Sequence, residues 1–245
     1  MIGEDKFKTI LVYKDHTGKI APGGDTISTR TSWTFKVNAD NFTAKNITFS
    51  NDAGFSAGQA VAMDCKGDKA IFINCRFTGN QDVLFTNSFT SRQFYKNCYI
   101  EGTTDFIFGA GKVWFEQCHI HSKKASHITA AATPVTQPYG YIFNDCVLTG
   151  ETSLHNVSLG RPWHPYAAVV YMNSFIGPHI KKEGWSNWNK TENYKTTRYA
   201  EYRNYGPSGD TMSRVSWSRQ LTSIEAATYT IKNIFHDWKE LHEFF

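Results

Sequence analysis

The chain has 245 residues, 40% of them hydrophobic and 15% aromatic, which supports a substantial core and argues against wholesale disorder. Lys and Arg number 26 against 22 Asp and Glu, a formal charge of +4; the excess suits an anionic partner, but without a basic stripe it does not point to nucleic acid. No run of about 18 uninterrupted apolar residues is present, so no membrane-spanning helix is expected. In chain order, the opening residues Met1-Ile2-Gly3-Glu4-Asp5-Lys6 lack the basic-then-apolar pattern of a secretory leader.

From there the chain repeats itself. Six segments share one pattern: Ala44–Phe49, Phe72–Phe77, Tyr95–Ile100, Phe115–Ile120, Phe143–Leu148 and Tyr171–Ile176. Each is a short alternating run rich in aromatic and β-branched residues, which reads as strand. Each carries Asn, Asp or Gln at one place: Asn46, Asn74, Asn97, Gln117, Asp145 and Asn173. Their spacing is uneven while the motif is constant, so equivalent strands stack and loops of variable length join them. That is the signature of a parallel β-helix, an all-β solenoid in which each coil buries its apolar side only against its neighbours. Cys75, Cys98, Cys118 and Cys146 follow the polar position and are expected to stack inward as free, small hydrophobes. Neither they nor Cys65 forms a CxxC pair, so no metal site is expected. The polar column is expected to hydrogen-bond turn backbone.

After about residue 180 the repeat fades. Trp185–Trp188 reads as loop and Thr197–Tyr202 as strand, while Thr222-Ser-Ile-Glu225 is a capping box opening a helix expected to run to about Phe235. Its expected task is to pack along the side or end of the solenoid and cover exposed edges. With no linker in sight, residues 1–245 read as one domain, with coils over about 7–180 and C-terminal loops, strand and helix over about 181–245.

The register makes a chemical prediction. Asp82 lies seven residues after Cys75 and Asp105 seven after Cys98. Equivalent positions on consecutive coils are one strand spacing apart, about 4.8 Å, so the two carboxyls should be neighbours. By the same count the flanking coils offer Gly54 and Ala125, and no general Asp ladder is expected. Like charges this close push one pKa up while the other stays low, setting a proton donor beside an ionised carboxylate. Nearby segments add amides that donate to an oxyanion, an Arg that holds a carboxylate ionised, and a flat aromatic face: Gln59-Ala-Val-Ala, Gln81-Asp-Val-Leu-Phe85, Asp105-Phe-Ile-Phe108-Gly109 and Leu159-Gly-Arg161-Pro-Trp163.

Taken in this order, with Ser28–Phe35, Asn51–Gly54, Tyr199–Tyr202 and Tyr205-Gly206, these segments resemble the pectin methylesterase (pectinesterase) family over roughly residues 28–238. The resemblance implies a right-handed parallel β-helix that hydrolyses methyl esters of polygalacturonate without a cofactor. By position, Asp105 matches the family nucleophile and Asp82 the general acid and base. Gln81 matches an oxyanion donor, Gln59 a second active-site amide, Arg161 the residue that hydrogen-bonds the nucleophile, and Trp163 a substrate-contacting aromatic. Thr29 falls where the family has a substrate-contacting threonine; Phe85 and Phe108 complete the expected substrate-binding set. Phe85 stands where the family more often has Tyr, and Val83 where it has Thr. The resemblance also implies methylated pectin as partner, a monomer, and secretion or a periplasmic location. The family's N-terminal capping helix and first coils have no counterpart before Met1, so a cap is expected to be missing.

Three other readings compete. Gly54-Phe-Ser56-Ala-Gly58 fits the GxSxG pattern of serine esterases, which requires a strand–turn–helix context. A polygalacturonase would hold a water between carboxylates, and a pectate lyase would need an acidic calcium cluster; neither arrangement stands out. The last is a carbohydrate-binding β-helix, inactive or truncated. His164 follows the Arg161-Pro-Trp163 segment and is expected to have a surface or packing role.

Overall fold

The computed structural model describes residues 1–244. Three parallel sheets run the length of the molecule. An eight-stranded sheet is built from Thr43–Lys45, Ala70–Ile73, Arg92–Lys96, Lys112–Glu116, Tyr141–Asn144, Ala168–Met172, Arg198–Tyr202 and Arg219–Gln220. A seven-stranded sheet begins with Ile10–Tyr13 and Thr48–Asn51 and ends with Phe175–Ile176. The six-stranded sheet contains Phe35–Val37, Met63–Cys65, Leu84–Thr86, Ile107–Gly109, His127–Ala131 and Ser158–Pro162. The chain visits the three in rotation, one strand each per coil, and this makes the right-handed parallel β-helix.

In-register stacking turns the sequence repeat into columns. Facing the interior, the rings of Phe72, Tyr95, Phe115, Phe143 and Tyr171 stack at centroid separations of 4.8, 5.0, 4.4 and 4.3 Å. Phe77, Ile100, Ile120 and Leu148 form a parallel buried column from the seven-stranded sheet. The four ladder cysteines are free and buried as expected, and Cys65 is free and buried in the six-stranded sheet.

The polar column does something other than expected. Asn46, Asn74, Asn97, Gln117, Asp145 and Asn173 all have φ between 51° and 57°. They take the left-handed bend between the eight- and seven-stranded sheets, a conformation that short polar side chains tolerate best after Gly. Their side chains reach along the stack to the next coil: Asn74 Nδ2 donates to Asn46 Oδ1 at 2.8 Å, Gln117 Nε2 to Asp145 Oδ2 at 3.1 Å, and Asn173 Nδ2 to Asn144 Oδ1 at 3.0 Å. Stacking thus joins amide to amide at Asn46 and Asn74 and amide to carboxyl at Gln117 and Asp145, while Asn173 reaches the residue before the neighbouring bend; the expectation was bonds to turn backbone.

The expected C-terminal helix is two single turns, Ser223–Ala226 and Ile231–Ile234. The Thr222–Glu225 capping box forms, but Thr230 acts as a second N-cap, accepting from Asn233 N, so the chain restarts rather than continues. Ile234, Phe235, Trp238 and Leu241 cover the apolar outer face of the eight-stranded sheet at Ile71, Phe94, Trp114, Ile142 and Val170. The segment lies along the side of the solenoid. Thr197–Tyr202 is a strand as expected, at Arg198–Tyr202, and it continues the stack beyond residue 180. No helix among the described residues is long and apolar enough to cross a membrane.

Candidate active site

The bends that enter the six-stranded sheet carry the two carboxyls. Leu84 pairs with Ile107, so Asp82 and Asp105, two residues before each, share one register on adjacent coils. Backbone bonds from Asp82 N to Thr104 O at 3.1 Å and from Asp105 N to His127 O at 2.8 Å hold that register. Both aspartates are left-handed, with φ of 63° and 49°. Their relative exposures are 9% and 4%. Asp and Asn tolerate this backbone better than other residues with a side chain, so the bend and the carboxyl are compatible in one residue.

The flanking positions differ from the expected Gly54 and Ala125. Gln59 bridges to Gln81, which sets Ala60 beside Asp82, and the bond from Asp105 N sets His127 beside Asp105. Counting from the cysteines fails here because the joining loops change length between the polar bend and the site bend. His127 is uncharged at neutral pH: burial above all, then Arg161 and Lys181, lower its pKa to about 4. Its Nδ1 lies 2.7 Å from Ser158 Oγ.

Arg161 reaches back across the coil that carries His127 and Ala130 to grip Asp105. Its Nε donates to Oδ1 at 3.0 Å and its second terminal nitrogen to Oδ2 at 2.6 Å. Such a fork is among the stronger side-chain interactions. Trp188, from the loop after the last six-sheet strand, lies on the other side, its ring centroid 4.0 Å from Arg161 Cζ. Asn193 Nδ2 ties that loop to the carbonyls of Pro162 and Trp163 at 3.1 and 3.2 Å.

The two aspartates differ in electrostatic setting. Burial raises Asp105 and the hydrogen bonds and charge of Arg161 offset only part of that, so its pKa too lies above the ordinary value, in place of the low one expected from the register. Burial also raises Asp82, and the nearby Asp105 charge adds to it, so its carboxyl is held well above the ordinary range. No side-chain donor among the described residues lies within hydrogen-bond distance of Asp82, so burial and the neighbouring charge favour its protonated form, whereas Asp105 has a cationic partner in Arg161.

Around them is a cleft of about 420 Å³ lined by Gln59, Gln81, Asp82, Phe85, Asp105, Phe108, Arg161 and Trp163. Thr29 lines it too, with its hydroxyl 3.0 Å from that of Thr17. Phe85 and Phe108 stack at 4.4 Å and 3° on the outer face of the six-stranded sheet, and Trp163 continues the surface 6.0 Å from Phe108. All nine residues singled out from the sequence therefore meet in one place. Reading the sequence missed Ser28, Arg30, Ala130 and Trp188, which also line the cleft. Ala130 is legible in the register, between Phe108 and Arg161. Trp188 lies on a loop whose path no repeat predicts. His164 is exposed, its ring packed beside Trp163 at 5.1 Å. Ser56 is exposed in a loop between strands, without the strand–turn–helix setting of a nucleophilic serine. Among the described residues no group of His, Cys, Asp and Glu is placed to hold a metal.

Fold and cleft together define a β-helix protein with a buried carboxyl pair in an aromatic-floored cleft. The pectinesterase family model matches residues 1–237, and the chain belongs to that family. It is 42% identical over 194 residues to pectinesterase 31 of Arabidopsis thaliana, covering 79% of this chain and 61% of the relative. It is 36% identical over 241 residues to putative pectinesterase 11 of the same plant, covering 96% of this chain and 64% of the relative. The chain thus spans less than two thirds of the length of these curated relatives. Its fold superposes on pectin methylesterase from carrot with a TM-score of 0.89 at 30% identity, over 98% of this chain and 78% of that one. A pectin methylesterase solved in complex with a hexasaccharide gives 0.84 at 26% identity, over 97% and 82%.

Proposed function

We propose that this protein hydrolyses the methyl esters of pectin, releasing methanol and leaving polygalacturonate, by an aspartyl acyl-enzyme route. The observation that carries the reading is the asymmetric pair: Asp105 gripped by Arg161, beside a buried Asp82 that has no side-chain donor among the described residues and whose pKa burial raises. Family membership and the hexasaccharide complex of a relative supply the substrate class.

In this reading the ionised Asp105 attacks the C6 carbonyl of a methylated galacturonate, and the Gln81 amide, with Gln59 beside it, donates to the oxyanion. As the tetrahedral intermediate collapses, the C–OCH3 bond breaks and Asp82 gives its proton to the departing methanol. The product is an acid anhydride between Asp105 and the sugar. Asp82, now a carboxylate, takes a proton from water, whose oxygen attacks the anhydride; Asp105 leaves ionised and Asp82 ends protonated. Arg161 keeps Asp105 ionised and aimed, while Phe85, Phe108, Trp163 and Thr29 seat the sugar chain. No cofactor enters this scheme. A monomer acting on the polymer outside the cell or in the periplasm is part of the same proposal.

The test is methanol release from methylated pectin by wild type, Asp82→Ala and Asp105→Ala. Loss of about 10³-fold or more is expected for Asp105→Ala and about 10²–10⁴-fold for Asp82→Ala. A variant that keeps most of the wild-type rate refutes that residue's role. Polymer binding by wild type without methanol release would instead mark a carbohydrate-binding protein.

A further inference from the structure

The charges lining the cleft do not cancel. Four charge-bearing side chains face it: Arg30, Asp82, Asp105 and Arg161. Asp105 and Arg161 neutralise each other in a two-bond fork, and burial favours the protonated form of Asp82 beside them. Arg30 remains. It is exposed, and among the described residues it has no carboxylate within ion-pair distance; its guanidinium lies 5.5 Å from the centre of the Phe85 ring.

The turn that carries it is braced. Thr29–Thr31 is a short 3-10 turn, closed by Ser28 N donating to Thr31 Oγ1 at 2.9 Å and Ser32 Oγ donating to the Thr29 carbonyl at 3.1 Å. Phe85 in turn is fixed by its stack on Phe108. Along the axis of the β-helix, Trp163 and Arg161 flank the aspartates on the side of the later coils. Arg30 flanks them on the side of the earlier ones, at the end of the aromatic floor.

Resting on the pectin esterase reading, we propose that Arg30 is a carboxylate subsite, binding a free galacturonate carboxylate on the stretch of polymer that lies toward the early coils. A guanidinium parked on an aromatic face, with its donors free, pairs with a planar carboxylate in a way a methyl ester, which has lost the charge, does not match. The polymer would be discriminated here by charge, at a distance from the ester being cleaved. The chain therefore favours a substrate in which methylated and free units lie close together over one in which nearly every unit is methylated.

The experiment compares kcat/KM for methanol release on sparsely methylated and on near-fully methylated pectin, for wild type, Arg30→Gln and Arg30→Lys. Arg30→Gln is expected to lower the sparse-to-full ratio by roughly three- to tenfold, the size of one partly exposed charge-assisted contact, through KM rather than kcat. Arg30→Lys restores most of it, and raised salt erodes the wild-type preference. Binding of fully de-esterified trigalacturonate, measured calorimetrically, should weaken by a similar factor in Arg30→Gln; this arm needs no turnover. An equal effect on both pectins, a change in kcat alone, or unaltered trigalacturonate binding overturns the subsite. Absence of methanol release by wild type, with trigalacturonate binding still dependent on Arg30, would refute the esterase reading and leave the subsite standing.

Discussion

Two columns of left-handed residues run along this β-helix, and they use the same backbone to opposite ends. At the bend between the eight- and seven-stranded sheets stand Asn46, Asn74, Asn97, Gln117, Asp145 and Asn173, and at the bend into the six-stranded sheet stand Asp82 and Asp105, with φ near 50–60° in both. The first column is exposed or half-buried, and its amides bond from coil to coil. The second is buried, and its stacked side chains are carboxyls that repel. Stacking satisfies a side chain that both donates and accepts, and frustrates one that only accepts when ionised. The solenoid thus concentrates electrostatic conflict at one place, where Arg161 relieves half of it. On the mechanism proposed above, such a conflict costs stability in exchange for chemistry.

The comparison can be broken most severely at Arg161. Arg161→Ala removes both donors from Asp105 and leaves two buried carboxyls facing each other. Methanol release should fall by about 10²–10³-fold, with the low-pH limb of the rate profile moving to higher pH, because Asp105 then needs a higher pH to ionise. An unchanged acid limb would show that Arg161 does not set the Asp105 charge.

Asp82→Asn sharpens it. A carboxyl whose folded pKa is raised binds its proton more tightly folded than unfolded, so it favours folding at low pH. That benefit is lost as pH rises from the ordinary carboxylate value through the raised folded one. Asn carries no such conflict, so the variant should unfold about 2–6 °C higher at neutral pH, with little gain in acid, while losing turnover. Thermal melts at the two pH values decide; a gain independent of pH would point to packing instead.

At the quiet column the effect is smallest. Asn97→Ala places a β-carbon residue with no polar compensation at φ 54° and should cost about 1 kcal/mol. Asn97→Gly should recover most of that, because Gly takes this backbone freely. Denaturant midpoints measure both, and methanol release should be the same in each as in wild type. An equal loss in Asn97→Gly and Asn97→Ala would mean that the missing polar side chain, rather than the bend, sets the cost.

The fold was legible because a solenoid writes each coil's requirements into the chain locally: the aromatic and cysteine columns follow from the repeat alone, and so does the nearness of residues 82 and 105. The pairing of Ala60 and His127 with the aspartates was not, since loops of changing length shift the count between the two bends. The C-terminal turns were half legible: the first N-cap was visible, while Thr230, the second, looked like helix interior. Sequence by itself therefore determined the architecture, the two carboxyls and the family, all of which are carried by short motifs in register. Only the tertiary structure decided which aspartate gains a cationic partner, because that depends on Arg161 returning across an intervening coil. Arg30 and Trp188 likewise reach the cleft from segments outside the repeat, and local sequence carries no record of where such segments come to rest.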